Sequence, residues 1–159
     1  MNTGIVLAID PGQLQSGFVF LHGDFEPMRS GIESNERVLE MIAGSNVDTL
    51  AIEMIASYGM PVGKETFETC LWIGRFVQTW KQARGDSPVS LIYRKDVKMH
   101  LCNSPRAKDA HIRQRLLDIF GPTGTKKNPG KLYGVKSHAW AALAVALTAQ
   151  QVPHVAQAA

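Results

Sequence analysis

Two acidic residues in this 159-residue chain stand where apolar segments end. Asp10 follows the apolar residues 5–9 and is followed at once by Pro11-Gly12, a pair that breaks a strand. Glu53 stands near the end of a second apolar run, "DTLAIEMI", at residues 48–55. A carboxylate in such a position can form a turn, belong to a phosphate-binding loop or bind a metal ion.

Metal binding would require the two carboxylates to meet. They lie side by side if the two apolar runs form neighbouring strands of one sheet. Two carboxylates that converge without a basic partner repel each other, and a divalent cation is the usual compensation. Oxygen ligands suit Mg²⁺ or Mn²⁺. The alternative is that Asp10 caps the Pro11-Gly12 turn while Glu53 is solvated at a strand end.

The elements that would position these carboxylates follow from the apolar pattern. Strands are predicted at residues 5–9, 17–22, 27–33, 48–55 and 89–93. Helices are predicted at residues 36–43, 65–84, 95–101, 105–120 and 137–150. This order of strands and helices predicts an α/β domain built on one mixed sheet.

Length and composition indicate one domain, expected to span residues 1–152, with an Ala/Gln-rich tail at 153–159 expected to be disordered. With 45% hydrophobic residues the chain is neither a disordered nor a membrane protein, and its most apolar stretch, residues 139–149, is too short to span a bilayer. Cys70 and Cys102 have no metal-type spacing. They are expected to be buried thiols of a protein in a reducing compartment, the cytoplasm.

Charge is unevenly distributed along the chain. Residues 1–60 carry eight acidic and two basic residues, whereas residues 61–159 carry fifteen basic and six acidic residues. An acidic half that supplies strand-end carboxylates, followed by a basic half, suits a polyanionic substrate held near metal ions. Ordinary solvated surface charge is the alternative.

Four segments resemble, in order, motifs of the RuvC-type Holliday junction resolvases, which belong to the RNase H-like nuclease superfamily. "IDPGQLQSG", residues 9–17, resembles the first motif, and "LAIEMI", residues 50–55, the second. Residues 93–121 are similar to a family stretch with a Val-Lys pair, a lysine-bearing turn and a helix. "KSHAWAALAVALTA", residues 136–149, resembles the final helix. Each motif is short, so the resemblance rests on their order and spacing over residues 4–150.

The resemblance implies an RNase H-like fold with a single mixed five-stranded sheet flanked by helices. It implies a crossover junction endodeoxyribonuclease that cuts Holliday junctions and other branched DNA by two-metal-ion hydrolysis. Asp10, Glu53 and His138 would then be the catalytic and metal-binding residues, with two Mg²⁺ or Mn²⁺ ions bridged by Asp10. It also implies a homodimer formed through the helix at residues 65–84 and a bacteriophage-type protein of the host-cell cytoplasm.

Position 141 departs from the family pattern. The family places metal ligands at positions i and i+3 of the final helix, which share a face, but this chain has His138 and Ala141 there. The vacant ligand position leaves open a natural branch with fewer ligands, an engineered knockout or a non-catalytic protein that binds branched DNA. Asp109 is a possible substitute, although its place beside Lys108 favours the surface. His138 can alternatively bond to nearby backbone.

Basic residues concentrate in two segments that would contact DNA. Residues 94–115 contain seven basic and two acidic residues, and the Gly/Pro-rich residues 126–136 contain four lysines and no acid. Such segments follow phosphates through charge rather than base identity. A solvated surface is the alternative for any one of them. The candidate DNA-binding side chains are Lys98, Arg106, Lys108, Arg113, Lys126, Lys127 and Lys131.

Tyr58 is a further candidate for DNA binding. It lies in "ASYGMPVGKE", residues 56–65, close to where the family places an aromatic wedge at the centre of the junction. Tyr58 or Met60 can open a base step, and core packing is the competing interpretation.

An actin-like phosphate loop at residues 9–17 is excluded, because that fold needs two related domains and a chain of 159 residues does not hold them.

Overall fold

One mixed sheet organises the chain, whose residues 4–152 are described by a computed structural model. The strands are β1 (Ile5–Asp10), β2 (Gln15–His22), β3 (Pro27–Ser34), β4 (Thr49–Met54) and β5 (Val89–Tyr93). They are arranged in the order β3-β2-β1-β4-β5. β1 is antiparallel to β2 and parallel to β4, and β4 is parallel to β5. The predicted five-stranded mixed sheet is confirmed.

Helices cover both faces of this sheet. They are α1 (Asn35–Gly44), α2 (Lys64–Arg84), α3 (Arg94–Cys102), α4 (Asp109–Phe120) and α5 (Ala139–Gln151). One face packs against α1 and α2, and the other packs against α3, α4 and α5. Successive side chains of a strand point to opposite faces, so β1 contributes to both cores. This explains why β1 reads as a continuous apolar run.

α5 is the most deeply buried helix. Its residues 142–148 are fully buried, and it packs on β1 and β2. A helix that is apolar on all sides is buried on all sides. Four of its alanines, at 139, 142, 144 and 146, are fully buried and keep the helix thin, so its first turn can lie close to the end of β1.

Three local predictions are wrong. The helix predicted at 105–120 begins at Asp109, because the Ser104 hydroxyl accepts the Arg106 N–H at 3.2 Å and forms a turn that competes with helix. The last helix begins at Ala139, since Ser137 has a positive φ of 47°. The two cysteines are not buried: Cys70 is exposed on α2 and Cys102 is half-buried at the end of α3.

Within residues 4–152, no helix is both long and apolar enough to cross a membrane. The tail predicted at 153–159 lies outside the described residues.

Candidate active site

Asp10 and Glu53 lie at the same edge of the sheet. β1 and β4 are parallel neighbours in which Ile9 is opposite Ile52. Asp10 and Glu53 are therefore the next pair in this register. Asp10 is half-buried, and Glu53 is 9% exposed. Parallel pairing of these two strands is what brings two distant acidic residues together.

Burial makes both carboxylates hard to ionise. It raises the pKa of Asp10 above its ordinary value, although the hydrogen bond and charge of His138 oppose this. Burial, followed by the charge of Asp10, raises the pKa of Glu53 to about 7, and the charge of Arg94 opposes this shift. The Glu53 Oε2 atom is buried, and no hydrogen-bond donor within the described residues reaches it. Within the described residues, it is thus one buried oxygen of Glu53 that is short of a donor.

His138 is held against Asp10 at the start of α5. Its Nδ1 atom lies 2.8 Å from Oδ2 of Asp10. When Asp10 is ionised its carboxylate can only accept, so Nδ1 is then the donor in this bond. In the neutral tautomer that donates from Nδ1, the Nε2 atom would keep the lone pair that can bind a metal ion. The imidazole is 68% exposed and so stands at the open side of the acidic pair.

Gly17 allows this approach of His138. In the β1–β2 register Gly17 is opposite Asp10. A Cβ atom at position 17 would lie 2.5 Å from the carbonyl carbon of His138 and 2.8 Å from its Cβ. Any side chain at position 17 would therefore displace the start of α5 from the sheet edge.

Arg94 supplies a basic partner at the site that the sequence pattern does not predict. Its guanidinium lies 3.9 Å from Oε1 of Glu53 and donates a hydrogen bond to Asp109 Oδ1. Glu53 therefore has a cationic side chain near it. Met54 is opposite Tyr93 in the parallel β4–β5 pair, so the residue after Tyr93 reaches the same sheet edge. At 3.9 Å the contact with Glu53 is electrostatic rather than a hydrogen bond.

The turn after Asp10 is held by other side chains. The Ser16 hydroxyl donates to Asn35 Oδ1 at 2.6 Å, and Asn35 Nδ2 donates to the Gly12 carbonyl at 2.8 Å. Ser16 and Asn35 are both buried. Asp10 instead accepts from His138, so the turn-forming interpretation of Asp10 is not supported. Neither Ser16 nor Asn35 was predicted as a supporting residue, because nothing in the local sequence distinguishes a buried polar pair from a solvated one.

The donor set suits a divalent cation, although it is not arranged around one. Within residues 4–152, no three His, Cys, Asp or Glu side chains are placed to hold one ion. Asp10 and His138 bond to each other instead. The chemistry nevertheless fits a cation, because two carboxylates meet at one edge of the sheet and no donor among residues 4–152 reaches Oε2 of Glu53.

Ala141 lines a cavity next to the acidic pair. The cavity has a volume of about 460 Å³ and lies between α4 and α5. Arg94, Asp109 and His138 line it as well. Asp109 is exposed, as expected, but its bond to Arg94 also ties it to this site.

Four predicted DNA-binding residues lie on α3, on α4 or in the loop between these helices, all of which follow Arg94 in the sequence. Lys98 is half-buried on α3, and Arg106 and Lys108 are exposed in the loop before α4. Arg113 is exposed on α4, and it is the one predicted DNA-binding residue that lines the cavity beside His138.

The remaining predicted contacts lie in two other loops. Lys126 and Lys127 are exposed in a turn closed by the bond from Asn128 N–H to the Thr125 carbonyl, at 3.1 Å. Lys131 pairs with Glu26 at 2.5 Å, so this lysine joins the loop to the β2–β3 turn. Tyr58 is 63% exposed and has a positive φ of 48°; it lines a separate cavity of about 240 Å³.

Solved structures with the same architecture come from Thermus thermophilus. A structure of T. thermophilus RuvC aligns with a TM-score of 0.67 and 21% sequence identity, covering 91% of this chain and 92% of that one. T. thermophilus RuvC in complex with Holliday junction substrate aligns with a TM-score of 0.70 and 20% identity over the same shares. The chain has the RuvC fold. No protein-family model matches the sequence, and no curated protein matches it. The RuvC likeness thus lies in the structure, which places Asp10 and Glu53 on its two central parallel strands.

Proposed function

We propose that this chain is a structure-selective endonuclease that resolves Holliday junctions and cuts other branched DNA by hydrolysing phosphodiester bonds. The observation that carries the proposal is the meeting of the half-buried Asp10 and the buried Glu53 at one sheet edge, with His138 at their open side and no partner for Glu53 Oε2 among residues 4–152. The RuvC fold supports it, since one RuvC structure with this fold holds a Holliday junction substrate.

Asp10, Glu53 and His138 are the proposed ligands of divalent metal, with Mg²⁺ as the natural ion and Mn²⁺ able to substitute. Bound ions of this kind lower the pKa of the attacking water and stabilise the leaving 3′-oxygen. The expected products carry a 5′-phosphate and a 3′-hydroxyl.

The protein side chains prepare the site for this chemistry. His138 orients the Asp10 carboxylate through its bond at 2.8 Å. The surrounding core keeps water from Glu53, which strengthens its attraction for a cation. Arg94 is half-buried between Glu53 and Asp109, and its guanidinium is suited to the phosphate oxygens of the strand being cut.

Exposed basic side chains provide the track for the DNA backbone. Arg113 lies at the cavity beside His138, and Lys108 immediately precedes Asp109. Lys126 and Lys127 extend the positive charge into the loop before α5. Contacts of this kind bind phosphates of any sequence, so selectivity for branched DNA must come from shape.

A two-fold dimer through α2 would match the symmetry of a four-way junction. Phe67 and Leu71 lie one turn apart on α2 and are 61% and 64% exposed. Exposed apolar side chains at this spacing form a stripe that a second copy can cover. Two copies would present two acidic pairs to the two symmetric strands.

The Asp10→Asn variant tests the nuclease. It keeps the size of the side chain and the acceptor for His138 but removes the charge. We expect cleavage of an end-labelled four-way junction in Mg²⁺ to fall by about 10²-fold or more, while gel-shift binding in EDTA is retained or tighter. Asp86→Asn, at an exposed aspartate, is the matched control and should cut normally. Normal cleavage by Asp10→Asn would rule out the mechanism.

The vacant position at 141 provides a second arm of the same experiment. If the unmodified protein binds the junction but cuts it in neither Mg²⁺ nor Mn²⁺, the chain is a branched-DNA-binding protein rather than a nuclease. A large gain of cleavage in Ala141→Asp, absent from the uncharged Ala141→Asn, would identify 141 as the missing ligand position.

A further inference from the structure

We propose that the cavity between α4 and α5 binds one unstacked base of the DNA substrate, beside the phosphate that is cut. This inference rests on the proposed function, because it gives the acidic site a neighbouring subsite for a base. The occupant is a nucleobase of the bound strand rather than a free ligand.

The size and floor of the cavity suit a flat apolar ring. Its volume of about 460 Å³ lies within the range of about 300–1,000 Å³ found for small-molecule sites. The buried side chains of Ile112 and Leu116 form part of its lining, together with the half-exposed Ala141. An unstacked base loses its neighbours in the duplex, and an apolar floor replaces those contacts.

Ala141 leaves the space that the base would fill. Its side chain is a single methyl group on the turn of α5 that follows His138. A longer side chain at 141 would enter the cavity, and a carboxylate there would place a charge beside Ile112 and Leu116. Alanine at position 141 therefore leaves the expected metal-ligand position vacant and also opens this cavity.

Trp140 and Arg113 provide the stacking surface. Both line the cavity, and the guanidinium carbon of Arg113 lies 4.5 Å from the centroid of the Trp140 ring. Splayed bases stack on aromatic rings and on guanidinium planes, and this pair offers both. Arg113 is exposed, so it can also follow the phosphate of the inserted nucleotide.

The position of the cavity links it to the reaction site. His138 lines it while its Nδ1 is bonded to Asp10, and Arg94 lines it while facing Glu53 at 3.9 Å. A base held there belongs to a nucleotide next to the cut phosphate. Arg94 is bonded to Asp109 at this cavity, so the exposed Arg113 is the positive charge that favours entry of a polyanion rather than of an apolar peptide.

A scan with abasic sites tests the proposal. Four-way junctions carry one abasic nucleotide at each position within three nucleotides of the cut phosphate, and binding is measured by fluorescence anisotropy in EDTA. We expect one position at which loss of the base weakens binding about 5- to 100-fold. Ala141→Leu, which fills the cavity, and Arg113→Gln, which changes an exposed side chain, should each remove the dependence on that base. Ala83→Leu, at an exposed alanine of α2, is the control and should retain it.

The outcomes separate this inference from the proposed nuclease. If the protein cuts junctions but no abasic position matters, or if the dependence persists in both Ala141→Leu and Arg113→Gln, the base subsite is wrong and the nuclease stands. If the dependence is present and is lost in the two variants although no junction is cut, the subsite stands and the nuclease is wrong. A protein that fails to bind junctions overturns both.

Discussion

At the scale of single residues, Glu53 has the most unusual environment. Its carboxylate lies at the edge of the core beside that of Asp10, and the Arg94 guanidinium lies 3.9 Å from its Oε1 atom. A folded protein tolerates such a group by leaving it protonated or by binding a cation. The pKa of about 7 means that both states are accessible near neutral pH.

This pKa predicts a stability that depends on pH. Between its ordinary value of 4.5 and about 7, Glu53 is ionised in the unfolded chain but protonated in the folded one. Rising pH therefore destabilises the folded state across this window, and the loss is complete above the folded pKa. We therefore compare the free energy of unfolding of Glu53→Gln with that of the unmodified protein in EDTA. We expect this difference to change in favour of Glu53→Gln by up to about 3 kcal/mol from pH 5 to pH 8. Urea unfolding at both pH values measures this.

Two comparisons check the cause of the effect. Glu36→Gln, at an exposed glutamate of α1, should show no such gain. Adding Mg²⁺ at pH 8 should raise the melting temperature of the unmodified protein more than that of Glu53→Gln. Equal pH profiles for Glu53→Gln and the unmodified protein would contradict the raised pKa.

The acidic pair could be predicted from the sequence because each acid ends an apolar run. Arg94 could not be placed beside Glu53 without knowing that β5 is the parallel neighbour of β4. That fact depends on strand order, which no local pattern encodes. His138 was found through family resemblance alone, since a histidine before an alanine-rich helix has no distinctive spacing of its own.

At the scale of elements, the site depends on how closely α5 approaches β2. Gly17 and the alanines of α5 are small residues on the two sides of this contact. Ser137, with its positive φ, turns the chain immediately before His138. The sequence predicted α5 but not its first residue, because the left-handed conformation of a serine is imposed by tertiary packing.

Replacement of Gly17 tests this contact. A methyl group there would lie 2.5–2.8 Å from backbone and Cβ atoms of His138. We expect Gly17→Ala to lower the free energy of unfolding by about 1–3 kcal/mol and to reduce cleavage, because His138 moves from Asp10. Gly44→Ala is the control, since nothing lies within 4 Å of a Cβ at that position. Unchanged stability and cleavage in Gly17→Ala would contradict the assigned role.

At the scale of the whole molecule, helices cover the apolar cores on both faces of the sheet, whereas part of the surface of α2 is apolar and exposed. α2 buries Ile73, Phe76 and Trp80 against the sheet but leaves Phe67 and Leu71 exposed. The apolar pattern of α2 predicted more apolar surface than one sheet face requires. It could not identify which side chains face outwards, because that depends on how the helix is rotated on the sheet.

The exposed stripe predicts a dimer that a charge would disrupt. We expect Leu71→Glu to convert a dimer into a monomer in sedimentation-velocity experiments, because a buried charge would face an apolar partner. The monomer should nick junctions without making paired cuts. Ala83→Glu adds the same charge to an exposed position of α2 away from Leu71 and should stay dimeric. A dimer that survives Leu71→Glu would exclude α2 as the interface.

The hydrogen bond between Asp10 and His138 joins residues 128 positions apart. During synthesis Asp10 at the end of β1 emerges 128 residues before His138. A nascent chain thus carries its acidic pair before it carries the histidine and the helix that covers the central strand. In the proposed nuclease, the reaction site is therefore assembled only when α5 has docked on β1 and β2.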